Sequence, residues 1–442
     1  MFRSIANILD QRSSVFYGER LVFIGLVLLV FGIPFERFET QFRLLGFINI
    51  TNLVALMMLV LGLWAGNLLI NRRWPTGWPT KFSIPLGLLL LVALLASLVD
   101  PLDSTAAIKG FFRLLLGVAV FGMVVDLATT PSRIQLLVAA LAILGCIIAI
   151  LGILDWYRLP SVVTFLNQFQ RQNSGNRLIV FNSVSTTALS LAMTGCISLG
   201  LMGSAFRQRN RQFTILWSLS SILIGTALLL TMSRGGLLAF AIAVASIFIF
   251  GKHSSIWRWL VIISMVLILG VVTVQREANT FGRPEYSSGL SGRQYLWSAA
   301  LQLGFENPWL GIGPNNFRLV ERERVKVPSD FPGIGGQTGP TAPIGVSAHN
   351  LYLQFFADLG WPGLLILIWI VFISLGTIWR LLRQSPFAWQ NGIATALIVW
   401  WVQSLLETFV WVTGGSLLFW LTFGVAVATE HKMIDQPTAK TH

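Results

Sequence analysis

From Phe213 to Phe250 the chain runs for 38 residues with one charged side chain, Arg234, near the middle. A hydrocarbon layer takes about 20 apolar residues of helix to cross, so this run is long enough for two crossings joined at the arginine. Inside a bilayer no water satisfies backbone N–H and C=O groups, and spans of this composition must pair them internally as helices. The rest of the chain repeats the pattern. Residues are 55% hydrophobic and only 11% charged, which excludes an ordinary soluble domain.

Apolar runs near 21–35, 45–70, 82–99, 109–128, 134–154, 181–203, 213–231, 236–251, 257–274, 351–379, 389–407 and 409–429 predict about twelve membrane helices. The expected fold is all-α: a polytopic membrane protein, residues 1–442 forming a single integral membrane domain. The second run is longer than a bilayer needs, which predicts a tilt or a continuation into the interface. The tenth carries Asp358-Leu-Gly-Trp-Pro362, a helix stop followed by a new start with Pro in the first turn. That spacing predicts a short interfacial helix over 349–359 and a span beginning near Pro362. The first apolar run ends in Pro-Phe-Glu-Arg without a small-residue cleavage site, so it reads as a span and not a cleaved leader.

Basic residues set the orientation. With the N-terminus cytoplasmic, Arg72, Arg73, Lys81, Arg133, Arg207, Arg209, Arg211, Lys252, Arg258, Arg380 and Arg383 all fall inside, and the opposite short loops hold Glu36, Glu39, Asp100, Asp103 and Asp155. The net charge of +13 therefore borders the spans, and no nucleic acid is implied. Cys146 and Cys196 both lie in apolar runs and read as small core residues.

Between spans nine and ten lies a polar stretch rich in Gly and Pro, residues 275–350, which this orientation places outside. It is poor in alternating apolar runs, so it predicts a loop with short helices and no independent domain. Glu321 to Lys326 reads as a solvated helical face, and Ile334 to Pro343 as flexible loop.

Chemistry in such a chain must use the polar residues at the outer face. Arg234 occupies a Ser-Arg-Gly-Gly turn at membrane depth, where a charge costs roughly 2.5–3.5 kcal/mol, and the glycines open the backbone to a ligand. The plain reading of Arg234 is a hairpin marker that snorkels to the interface. Arg293 follows Gly292 at a helix start, a favourable arrangement for phosphate. His349 is the only histidine assigned outside; Ser347 is a candidate N-cap, which would keep the ring neutral for service as a base. Asp358, nine residues on, is out of phase with His349. Lys109 and Arg113 share a helix face, and with Arg177, Arg234 and Arg293 they would make a cationic pocket suited to a pyrophosphate. Glu407 is a carboxylate at a span edge, read first as an ion-pair partner. No outward histidine or cysteine cluster supports a metal site.

In order, Ser233-Arg234-Gly235-Gly236, Gly292-Arg293 with Trp297 and Ala300-Leu301, Asn307-Pro-Trp-Leu-Gly-Ile-Gly-Pro-Asn-Asn-Phe317, His349-Asn350 and Gly360-Trp-Pro-Gly363 resemble the O-antigen ligase and polymerase superfamily, over Arg177 to about Ile378. The resemblance implies a multi-pass protein of the bacterial inner membrane, with cytoplasmic termini and a large periplasmic loop. It implies transfer of a glycan from a polyprenyl-pyrophosphate carrier to a lipid A-core or glycan acceptor, without metal or other cofactor. By motif, the family's two arginines and loop histidine fall on Arg234, Arg293 and His349; Asn350 and, from its place at a span edge, Glu407 are read as supporting residues. Asn182-Ser-Val-Ser departs from the Asn-Pro-Asn pattern of many members. Polymerisation of the glycan is the nearest alternative to ligation, and transport of a small anion such as bicarbonate is an alternative of another class. Against transport, matching broken spans in two halves are absent from the sequence.

Overall fold

The computed structural model describes residues 14–36, 43–44, 48–49, 51–78, 80–167, 177–181, 183–250, 290–328, 331, 339–383 and 389–435. The predicted span 257–274, the beginning of the polar stretch, Asn182 and several of the basic residues used for orientation lie outside them. The described helices are α1 (Ser14–Gly32), α2 (Asn52–Ile70), α3 (Ser83–Leu98), α4 (Ser104–Leu127), α5 (Pro131–Trp156), α6 (Pro160–Asn167), α7 (Val184–Arg207), α8 (Arg211–Leu230), α9 (Arg234–Phe250), α10 (Leu290–Glu306), α11 (Leu351–Arg383), α12 (Trp389–Gln403) and α13 (Thr413–Asp435). Seven of them are long and apolar enough to cross a membrane.

Helix starts follow local chemistry. Thr51, Asp103, Thr130, Ser183 and Asn210 each accept a backbone N–H from three residues on, satisfying donors that a helix leaves open at its N-terminus. The cap at Thr51 corrects the second expected span. The helix begins at Asn52, and the residues before it include a two-stranded antiparallel hairpin, Arg43–Leu44 against Ile48–Asn49. The excess length of that run is thus neither tilt nor helical continuation.

α7 sits at the centre of the bundle: 72% of its apolar window is buried, against 28% for α8. Its polar residues Thr186, Ser190 and Thr194 are buried, and Ser190 and Thr194 return their hydroxyls to carbonyls one turn back. α7 meets α12 where Gly200 and Gly392 face each other; a Cβ at Gly200 would lie 2.7 Å from the Gly392 Cα. Small residues let membrane helices pack backbone to backbone in this way.

Two carboxylates lock one end of the bundle. Asp126, at the end of α4, accepts from Arg73 at 2.8 Å and from the Trp64 indole at 2.8 Å. Glu430, near the end of α13, accepts from Lys81 at 2.8 Å, from Thr377 at 2.8 Å and from Arg380. Buried charges are tolerated when paired in this way. The starts of α11 and α13 lie at the other end, which leaves that end free for other work.

α11 is two helices. Gly360 has φ 67 and ψ −164, so the short helix 351–359 is separate from the span 361–383, at the break expected from Pro362. The polar stretch before it has a core of its own. Leu296, Ala300 and Leu303 of α10 pack with Ile312, Phe317, Val320, Val325 and Ile344. Arg322, expected on a solvated face, is fully buried and donates to the Pro343 carbonyl at 3.2 Å. Beyond α10 the apolar residues responsible are spaced mostly singly, so no run announces them.

Gly311 joins this core to α11. Its φ is 63, and a Cβ there would lie 2.3 Å from the Asp358 carbonyl carbon. Gly311→Ala should therefore destabilise through left-handed strain and a backbone clash, by roughly 2–4 kcal/mol. Gly62→Ala, which meets nothing within 4 Å, should be neutral. Thermal unfolding of the two variants in detergent checks this.

Candidate active site

The beginning of α11 is stitched to the segment between α12 and α13. The Leu351 N–H donates to the Ser404 carbonyl at 2.8 Å, and the Asn350 amide to the Leu405 carbonyl at 3.1 Å. Asn350 is the helix cap: its Oδ1 accepts from the Tyr352 and Leu353 N–H groups, each at 3.0 Å. This corrects the expected cap at Ser347. His349 stands one position outside the helix with φ 50, a conformation uncommon for residues other than glycine.

Its neighbours hold it there. Gln354 accepts from the Ala348 N–H at 2.8 Å and donates to Asp358 at 2.8 Å. Asp358, fully buried, also accepts from the Asn315 and Phe317 N–H groups at 2.9 and 3.1 Å. Asp358 thus reaches the backbone just before His349 only through Gln354, while pinning the Gly311–Phe317 loop.

The His349 ring is fixed by Glu407, whose Oε2 lies 2.6 Å from Nδ1. The other carboxylate oxygen accepts from Arg293 at 3.1 Å and from the Ser185 hydroxyl at 2.8 Å. One carboxylate thus joins α7, α10, the residue before α11 and the segment before α13. Burial pushes the Glu407 carboxyl upward, but the His349 ring, the Arg293 guanidinium and the Ser185 hydroxyl outweigh it and hold the group below its ordinary value of 4.5. Ionised, it accepts the Nδ1 proton and leaves Nε2 as the free acceptor of the imidazole.

Arg234 opens α9 beside this cluster. Ser233 caps the helix by accepting the Gly236 N–H at 3.3 Å. A Cβ at Gly235 would meet Leu406 at 3.4 Å, and one at Gly236 would meet the Ala188 Cβ at 2.7 Å. The turn therefore abuts both the Glu407 segment and the first turns of α7. Among the described residues the half-buried Arg234 guanidinium has neither a hydrogen bond nor an ion pair.

The remaining cations are placed differently. Arg177 donates to the Thr231 and Met232 carbonyls at 3.1 and 3.2 Å, so it braces the turn that carries Arg234. Arg113 donates to the Trp411 carbonyl at 2.7 Å, with Glu36 as its carboxylate, and so braces the segment that carries Glu407. Lys109 has no partner among the described residues. The five cations do not form one shell: Arg234 and Arg293 flank Glu407, while Arg177 and Arg113 support the backbone behind. Ser185, Gln354 and Gln403, whose amide donates to the Ser185 carbonyl at 3.2 Å, had no signal in the sequence beyond the four-residue spacing of Gln354 and Asp358. Among the described residues, no three His, Cys, Asp or Glu side chains gather in a way that could hold a metal ion.

Residues 219–368 match the model of a known family, O-antigen ligase. This stretch is similar to the O-antigen ligase family. It contains Arg234, Arg293, His349 and Asn350, whereas Glu407, Ser185, Arg177, Arg113 and Lys109 lie outside it. The O-antigen ligase match supports a membrane glycosyltransferase of the ligase or polymerase type, with lipid-linked glycans as substrates. No curated protein matches the chain.

The depressed Glu407 value has a consequence for stability. A carboxylate whose folded value lies below its unfolded one stabilises the fold above the unfolded value, and that contribution is lost as pH falls through the folded value. Glu407→Gln should therefore be less stable than the parent at pH 7, by roughly 1–3 kcal/mol for lost charged hydrogen bonds. The gap should close below about pH 4.5. Melting of both proteins between pH 3.5 and 7 measures it.

Proposed function

We propose that the protein transfers a glycan from a polyprenyl-pyrophosphate carrier to a hydroxyl of an acceptor at the periplasmic face of the bacterial inner membrane, most directly ligation of O-antigen to lipid A-core. The observation that carries this reading is the carboxylate of Glu407 shared between His349 and Arg293, with Arg234, unpaired among the described residues, on the turn beside it. The basic residues Arg73, Lys81, Arg133 and Arg380 at the opposite helix ends support cytoplasmic termini and a periplasmic site.

In this mechanism the acceptor oxygen attacks the anomeric carbon as the bond from that carbon to the pyrophosphate oxygen breaks. The acceptor proton passes to Nε2 of His349, and the Glu407 carboxylate stabilises the imidazolium through Nδ1. Charge develops on the leaving pyrophosphate, where Arg234 and Arg293 supply preorganised donors. Arg293 turns from Glu407 to the pyrophosphate when the donor binds, which leaves the carboxylate to His349 and the Ser185 hydroxyl and strengthens the base. Asn350 fixes the backbone on which His349 stands. The reading gives no role to a metal or other cofactor. A polymerase would use the same chemistry with a growing glycan as acceptor.

Purified protein in lipid, supplied with a polyprenyl-pyrophosphate oligosaccharide and a lipid A-core acceptor, should release polyprenyl pyrophosphate. Arg234→Ala and Arg293→Ala should each slow release by about 10²–10³-fold, and His349→Ala by about 10²–10⁴-fold, with the carrier still bound by His349→Ala. Full activity of either arginine variant would overturn the pyrophosphate assignment. Lipid-linked glycans that lengthen without lipid A-core would establish the polymerase instead.

A further inference from the structure

The C-terminal half of α10 and the turn after it expose large apolar side chains on one side: Leu301 at 41%, Phe305 at 62% and Trp309 at 76%. Leu301 and Phe305 are spaced by four residues on α10 and share one face, and Trp309 follows in the turn three residues after the helix ends. Three such residues standing in water on a polar loop oppose the ordinary sorting of side chains.

The stripe does not end at Trp309. Phe305 packs on Trp361 and Phe356, with ring centroids 6.1 and 5.2 Å apart, and the Trp361 N–H donates to the Pro308 carbonyl at 2.8 Å. Trp361 heads the span 361–383. That span exposes Leu365, Ile368, Phe372 and Leu375 at intervals of three and four residues, the pattern of a lipid-facing helix side. The apolar band therefore continues from the span onto α10 without a break. Along its edge, Gln302, Glu306 and Arg324 bond to one another, with Glu306 to Arg324 at 3.3 Å and Gln302 to Glu306 at 2.8 Å, and mark the side that faces water.

We propose that Leu301, Phe305 and Trp309 are a membrane-interface anchor: they seat the end of α10 at the headgroup–acyl boundary of the leaflet beside the site. Tryptophan at the head of a span is suited to that zone, with an apolar body and one polar N–H. Arg293 lies twelve residues before Phe305 on the same helix, about 18 Å along its axis. The anchor thus sets the depth of Arg293 relative to the lipid. This inference needs α11 as a membrane span but does not depend on the reaction proposed above.

The test uses the full chain carrying Phe305→Cys, Trp309→Cys or, for comparison, the exposed Lys326→Cys, each labelled with a nitrobenzoxadiazole fluorophore. The unsubstituted protein gives the labelling background of Cys146 and Cys196. In vesicles of phosphatidylethanolamine and phosphatidylglycerol, labels at 305 and 309 should lose about half their emission to shallow doxyl lipids and less to deep ones. Aqueous iodide should quench the label at 326 more strongly. Iodide quenching at 309 equal to that at 326, without doxyl quenching, would place the stripe in water and overturn the proposal. Protection from both quenchers would mean a second copy or another protein covers it, which also overturns it. Should the cysteine variants fail to fold, photo-cross-linking of the unsubstituted protein to diazirine-acyl phospholipid decides: adducts within 301–309 are expected, and adducts confined to the spans would refute the anchor.

Discussion

Glu407 is a largely enclosed carboxylate with three donors converging on it, and the organisation of that end of the bundle follows from keeping its charge satisfied. Ser185 comes from the central helix, Arg293 from the loop helix and His349 from the residue ahead of α11. Removing an ionised group's partners inside a low-dielectric interior is far more costly than losing one surface pair. The same contacts that offset the cost of enclosing the carboxylate also orient the imidazole and hold His349 and Arg293 at one place. Stability and chemistry share one set of hydrogen bonds here.

A second buried carboxylate, Asp358, does comparable work for the backbone. Its bonds to Asn315, Phe317 and Gln354 tie the loop core to α11. The two hubs differ in their donors. Asp358 is served by neutral amides, a static joint; Glu407 is served by groups that can themselves exchange partners. That contrast separates scaffold from site more clearly than distance does.

How much of this was legible beforehand depended on the range of each interaction. The apolar runs, the break at Gly360 and Pro362, and the singular setting of Arg234 are local signals, and sequence carries them well. The short helix before the break was readable because Gly and Pro act within a residue or two. The match of Glu407 with His349 and Ser185 was not, because the partners are 58 and 222 positions away and pair by tertiary geometry. Arg177 and Arg113 were legible as cations but not as braces, since a guanidinium that serves a carbonyl has the same sequence signature as one that awaits a phosphate. Beyond α10 the loop core escaped notice because its apolar residues stand mostly one at a time, and the hairpin before α2 because its strands are two residues long, too short to show alternation.

Glu407 lies between the last two helices, α12 and α13, while the residues it joins begin at Ser185. A ribosome delivers the arginines and the histidine to the membrane well before it delivers the carboxylate that organises them. Until α12 and α13 are inserted, the His349 ring has no orienting partner and Arg293 no counter-charge, so a chain stalled or truncated before this pair holds every motif residue of the O-antigen ligase stretch and still lacks an assembled site. Arrival of the segment that carries Glu407 is in this sense the step that assembles the cluster.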